Sequence, residues 1–265
     1  MSRVIPGILM AGAWLLLLYL GTAKLFWAIV VGGAVIALSE FFRMTCRSLI
    51  GPRLYVTIFL CLFPVFAAYF GRGDVVLAGV IASLMATVAV MLHGYTIIDD
   101  VFKYFSCCLL ASVYIALCMA HVVLIRFLPN GPFWLTLLVA VVAGSDTGAY
   151  YAGRAFGQRK LFPQISPKKT VAGGFGGLVA GIVIAEGLAL VFPGKVDPVS
   201  LFFAAALLII VGIAGDLTES MIKRAMNVKD SGTILRGHGG LLDRVDSLLL
   251  TGPVLYYLLA FGLLR

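Results

Sequence analysis

Charge is scarce in this chain. Lysine, arginine, aspartate and glutamate make up 12% of its 265 residues, where a soluble domain carries about a quarter. No stretch is polar enough to form a separate water-soluble domain. Also absent are a CxxC pair, a Cys/His spacing that suits a metal, a G-x-x-x-x-G-K-[ST] phosphate loop, a low-complexity tract and an internal repeat. These absences exclude a thiolate metal centre and a P-loop nucleotide hydrolase. The five cysteines, Cys46, Cys61, Cys107, Cys108 and Cys118, lie mostly within apolar runs and read as small buried hydrophobes.

What is plentiful is hydrocarbon. Hydrophobic residues reach 62% and the mean hydropathy is +1.07. Apolar runs of about 20 residues, each enough to cross a bilayer as a helix, recur along the chain. The expected fold is all-α, a polytopic membrane bundle of about nine transmembrane helices. They are placed near residues 4–22, 25–42, 54–70, 75–93, 104–127, 132–153, 171–192, 198–215 and 241–264. The first run, Ile5 to Leu20, has no small-residue cleavage site after it and reads as a retained helix. Residues 1–130 supply about five scaffold helices. Residues 131–265 form a catalytic region with two long loops, each mixing Gly with Lys and Arg.

The net charge of +8 reads as anchoring of cytoplasmic loops rather than as a nucleic-acid footprint. With a cytoplasmic N-terminus and nine helices, the Lys and Arg residues divide 15 inside to 5 outside. The expectation is N-terminus in, C-terminus out, with any chemistry facing the cytoplasm.

The carboxylates are concentrated. Five of the twelve fall between Asp216 and Asp246. If the eighth helix continues past Asp216, then Asp216, Ser220 and Lys223 share a face at i, i+4 and i+7, with Glu219 beside them. Asp243 and Asp246 share a face on the ninth helix. Converging carboxylates suit Mg²⁺, which takes one or two of them together with substrate phosphates and water. The competing reading is an ion-pair network, with Arg244, Lys223 and Arg224 answering Asp243 and Asp246. Asp146, in "SDTGAYYAGR", lies roughly 18 Å into the sixth helix at 1.5 Å per residue, so it is a functional candidate by default. Glu186 is also intramembrane but has no motif around it. Asp99 and Asp100 read as loop charges, and His93 and His121 as structural.

The basic loops suit phosphate. "SPKKT", Ser166 to Thr170, sets Lys168 and Lys169 beside hydroxyls, and "GGFGG" opens the seventh helix, where free N–H groups favour an anion. Gly239 and Gly240 similarly open the ninth. Together these features describe a cytoplasm-facing, Mg²⁺-dependent phosphate site at bilayer depth, with one soluble anionic substrate and one lipid.

The stretch "SMIKRAMNVKDSGTILRGHGGLLDRVD", Ser220 to Asp246, closely resembles the signature of the phosphatidate cytidylyltransferases, or CDP-diacylglycerol synthases. Gly215–Asp216, "SDTGAYYAGR" and "SPKKT" resemble further pieces of that family, in its order. The resemblance is good over about residues 140–265. It implies the reaction of CTP with phosphatidate to give CDP-diacylglycerol and pyrophosphate, in a membrane homodimer of the bacterial cytoplasmic membrane. It implies a divalent metal, Mg²⁺ and possibly a second cation, on Asp216 and Asp243, with Asp246 orienting that shell or holding the second ion. Lys168, Lys169, Lys223 and Arg224 would neutralise triphosphate or lipid phosphate. Asp146 would support the site and His238 would donate to pyrophosphate, while Ser220, Lys229, Asp230, Gly239, Gly240 and Arg244 complete the expected substrate-binding set. The chain departs from the family pattern at Ala172, where a Glu is usual, and at Arg236, where a Pro is usual. Alternatives are CTP-dependent transfer to another lipid phosphate, a prenol kinase and, from a different class, an ion-coupled transporter with Asp146 and Glu186 as ion ligands.

Overall fold

A computed structural model describes residues 4–191, 196–232 and 239–264, with side chains from Ala11 onward. His238, Arg236, Arg3, Lys195 and Arg265 lie outside the described residues. The chain is a helical bundle, and each of the nine expected helices finds a helical counterpart. The N-terminal half comprises α1 (Val4–Tyr19), α2 (Ala23–Thr45), α3 (Gly51–Cys61), α4 (Phe63–Ala67), α5 (Gly73–His93), α6 (Val101–Leu110) and α7 (Cys118–Phe127). The C-terminal half comprises α8 (Gly131–Phe156), strands β1 (Lys160–Phe162) and β2 (Ser166–Thr170), α9 (Val171–Val191), α10 (Pro198–Ala225) and α11 (Leu242–Ala260).

Among the described residues, six helices are long and apolar enough to cross a membrane, or seven if α3 and the helical stretch Phe63–Phe70 count as one span. That is fewer than the nine expected. α1 has 16 residues, and α11 carries Asp243, Arg244 and Asp246 in its first two turns. The expected single helix 54–70 bends by 42° after Cys61, where a new helical segment begins at Phe63 with Pro64 in its first turn. The fifth expected helix is continuous from Val101 to Phe127, but its centre, Ala111–Leu117, is π-helical. This widened segment buries Tyr114, whose hydroxyl donates to the Gly215 carbonyl at 3.4 Å.

Two packing relations position the C-terminal half. α8 and α9 form a close hairpin in which glycines let backbones touch. A Cβ on Gly148 would fall 2.6 Å from Gly176 O, and one on Gly177 would fall 2.8 Å from Ser145 O. So Gly173, Gly176 and Gly177 of "GGFGG", which open α9 as expected, also pack closely against α8. Gly174 alone of these four has open space beyond its Cα. α10 and α11 cross where a Cβ on Gly215 would lie 2.7 Å from Asp246 O. The Gly–Asp pair at 215–216 thus has a steric origin: the glycine admits α11, and the aspartate beside it is brought to Asp246.

The basic loop after α8 folds into an antiparallel hairpin of β1 and β2, which the sequence reading does not anticipate. On β2 Lys168 is exposed, Lys169 is half-buried, and Thr170 is buried, where its Oγ1 accepts from Gly173 N at 3.1 Å and caps α9. α10 continues past Asp216 to Ala225, so Asp216, Glu219, Ser220 and Lys223 share one helical face.

Candidate active site

A cavity of about 400 Å³ opens between α8, α9, α10 and the β-hairpin, lined by Asp146, Tyr150, Lys168, Lys169, Asp216 and Ser247 among others. Lys169 Nζ lies 2.6 Å from Asp216 Oδ2, and Ser220 Oγ donates to Asp216 Oδ1 at 3.3 Å. Asp146 faces the same space from α8. Asp246 accepts its neighbour's N–H, from Ser247, at 2.6 Å, and lies within electrostatic reach of Asp216, Asp146 and Lys223. Lys169 thus serves Asp216, with Asp146 lining the same cavity. Among the described residues, however, no set of three His, Cys, Asp or Glu side chains converges tightly enough to enclose an ion by itself.

Asp243 is arranged differently. Its Oδ1 receives Lys223 Nζ at 2.6 Å, and its Oδ2 accepts from Ser231 N at 2.9 Å, Ser231 Oγ at 2.9 Å and Gly240 N at 2.8 Å. Lys223 pairs on its other side with Glu219, which is fully buried. Asp243 therefore ties the start of α11 to Ser231 and to α10, and the ion-pair reading of Asp243 is realised through Lys223. Gly240 serves as a donor to Asp243. Gly239 adopts φ +79°, a left-handed conformation that favours glycine.

The remaining expected residues fall outside this cluster. Arg224 is exposed and donates to the carbonyls of Ile165, at 3.4 Å, and Val228, at 3.2 Å, so it ties the hairpin to α10. Lys229, Asp230 and Arg244 are exposed. Glu186 stands about 22 Å along α9 from Val171, at 1.5 Å per residue, away from the cavity. A larger cavity, about 760 Å³, lies elsewhere, between α3, α5 and the start of α6, and holds none of the C-terminal carboxylates.

Sequence reasoning passed over three participants. Glu40 of α2 accepts from Leu241 N and Leu242 N. Ser231 donates to Asp243, and Tyr114 reaches Gly215. The first had a signal: a lone carboxylate in the apolar run "VIALSEFF".

A sequence model described as the cytidylyltransferase family matches residues 1–261. The chain is 36% identical to a phosphatidate cytidylyltransferase of Bacillus subtilis over 98% of this chain and 97% of that one. It is 34% identical to one of Staphylococcus haemolyticus over 92% of each. A Pseudomonas aeruginosa protein of the same name is 43% identical across 52% of this chain and 51% of its own.

Proposed function

The chain belongs to the cytidylyltransferase family, and from that premise we propose that it is a phosphatidate cytidylyltransferase, a membrane nucleotidyltransferase that converts CTP and phosphatidate to CDP-diacylglycerol and pyrophosphate. The observation that carries this reading is the cavity in which Lys169 meets Asp216 beside Asp146. It sets a cation among carboxylates against an apolar bundle, where a soluble triphosphate meets a lipid phosphate.

The chemistry needs little from the protein beyond placement. Phosphatidate's phosphate is already ionised. One of its oxygens attacks the α-phosphorus of CTP, the bond from that phosphorus to the bridging oxygen breaks, and pyrophosphate leaves with that electron pair. Catalysis of such a transfer is mostly alignment and charge neutralisation. Lys169 and Lys168 would neutralise phosphate oxygens at the cavity. Lys223, held by Asp243 and Glu219, would keep α10 and α11 in register.

The donor set suits Mg²⁺: Asp216 already holds a cation, the Lys169 ammonium, at 2.6 Å, and a Mg²⁺ site needs only one or two carboxylates beside substrate phosphates. Asp216 and Asp246 would hold the ion. Asp243 would join them only on releasing Lys223. When bound, the ion would offset charge on the phosphates.

We further read the active site as cytoplasmic, the N-terminus as inside and the C-terminus as outside, in the cytoplasmic membrane of a bacterium. The support is the 15 to 5 division of basic residues. The resemblance of the signature supports a homodimer as the working unit.

The test is an assay in mixed micelles with labelled CTP, phosphatidate and Mg²⁺, run beside a panel of other lipid phosphates and prenols. CDP-diacylglycerol formation that EDTA abolishes supports the reading. Product from another lipid phosphate and none from phosphatidate would replace it with the related transfer.

A further inference from the structure

Nothing in the transfer as described draws on the first 130 residues, yet a carboxylate from α2 reaches the start of α11. Glu40 is 3% exposed. A buried carboxylate persists only where donors replace its lost hydration. Its Oε1 accepts from Leu241 N at 3.0 Å, and its Oε2 accepts from Leu242 N at 2.9 Å and from Ser231 Oγ at 3.3 Å. The N–H groups that open a helix have no partner within it, and a negative charge there is favoured by the helix dipole. Glu40 supplies both to α11 from 201 residues away.

The surrounding glycines are shaped to this carboxylate. A Cβ on Gly232 would lie 2.6 Å from Glu40 Oε1, and one on Gly240 would lie 2.5 Å from Glu40 Oε2. A Cβ on Gly239 would lie 2.6 Å from Asp243 Oδ2. Glycines on both sides of the segment thus leave room for two carboxylates, one from α2 and one from α11. The two are linked through Ser231. Its hydroxyl lies 2.9 Å from Asp243 Oδ2 and 3.3 Å from Glu40 Oε2, with one proton to give. From Asp243 the connection continues to Lys223 and Glu219 on α10.

We propose that Glu40 is a positioning residue for the transfer, holding Ser231 and Gly232 against Gly240–Leu242 so that Asp243 keeps Lys223 and α11 presents Asp246 to Asp216. The proposal rests on the cytidylyltransfer reading for its catalytic consequence and on geometry alone for the contact. It makes α2 part of the working site rather than scaffold.

The experiment uses the full chain in mixed micelles. Variants are Glu40→Gln, Glu40→Ala, Gly232→Ala and the double variant Glu40→Ala with Gly232→Ala. The readouts are steady-state kinetics of CDP-diacylglycerol formation and hydrogen exchange of peptides covering α11 and α8–α9. Glu40→Gln keeps size and removes charge, but its amide NH₂ faces a donor it cannot accept from. The expected result is a fall in kcat on the order of 10- to 100-fold, the range of one lost charge-assisted hydrogen bond. KM for CTP stays within about threefold, as for loss of orientation rather than of ground-state binding. Exchange rises at Leu241 and Leu242 while α8–α9 is unchanged. Gly232→Ala is damaging alone, and the double variant is no worse than Glu40→Ala, because removing the carboxylate frees the space the new methyl needs.

Wild-type kcat and exchange in Glu40→Gln would overturn the proposal. So would loss of protection extending through α8–α9, because it marks a general folding role. Strictly additive losses in the double variant would likewise count against it. If the wild type makes no CDP-diacylglycerol, the reaction reading fails instead. The exchange arm then still decides the contact: a response confined to the start of α11 supports it, and no response overturns it.

Discussion

The ammonium of Lys223 stands 2.6 Å from Asp243 Oδ1 and also pairs with Glu219 one turn earlier on its own helix. One cation on α10 thereby serves two carboxylates from two helices. Among the described residues neither Glu219 carboxylate oxygen has a hydrogen-bond partner, so the ion pair with Lys223 is what makes its burial tolerable. A charge so placed is structural and electrostatic at once.

Lys223→Met should destabilise the protein strongly. It leaves Asp243 and Glu219 facing each other without a counter-ion, and removing one partner of a buried ion pair costs about 3–5 kcal/mol. Thermal unfolding in detergent measures this, and activity should be lost with it. Lys223→Arg should recover part of both.

Lys169→Ala should separate stability from activity. The Lys169–Asp216 pair is partly open to solvent, with side chains 25% and 30% exposed, so screening keeps its contribution to stability within about 1 kcal/mol. Its ammonium lines the cavity, and a lost charge-assisted contact to phosphate should lower kcat/KM for CTP by about 10- to 100-fold. Lys168 lines the same cavity but is the more exposed of the two, so Lys168→Ala should have the smaller effect. An equal loss for both would mean that the difference in exposure does not select the phosphate contact.

Gly215→Ala should impair activity without adding or removing any charge. The new methyl would fall 2.7 Å from the Asp246 carbonyl, in backbone that cannot swing aside. Overpacking of this kind costs about 1–3 kcal/mol, and it displaces Asp216 from Asp246. Full activity would show that the α10–α11 crossing tolerates a wider spacing.

The carboxylates should divide in a Mg²⁺ titration. Asp216→Asn and Asp246→Asn should raise the Mg²⁺ concentration for half-maximal activity, because each removes a charged donor from a site that takes one or two carboxylates. Asp243→Asn should instead lower thermal stability, because it weakens the Lys223 pair and the acceptor of Ser231 and Gly240. A raised Mg²⁺ requirement in Asp243→Asn, at unchanged stability, would place that residue in the metal shell.

Much of this was legible in one dimension because composition and spacing act locally. A run of apolar residues dictates a helix wherever lipid withholds hydrogen bonds from the backbone. Carboxylates at i and i+3 share a face whatever surrounds them. Thus the helical bundle, the clustering of chemistry in the C-terminal half and the candidacy of Asp146, Asp216 and Lys169 followed from the sequence. The basic hairpin was hidden because "KLF" and "SPKKT" are too short for a strand period to emerge. The helix-packing role of the glycines of "GGFGG" was hidden because a glycine in sequence looks the same whether it admits phosphate or a neighbouring helix.

The sequence by itself determined a membrane-embedded helical chain of the cytidylyltransferase type, with its carboxylates and lysines gathered near one end. Tertiary structure alone decided how those charges pair. Lys169 took Asp216, Lys223 took Asp243 and Glu219, and Glu40 crossed from α2 to cap α11. The reason is physical: burial makes a charge seek the nearest partner in space, and apart from Glu219, one turn from Lys223 on the same helix, those partners stand on other elements, at sequence distances no periodicity records.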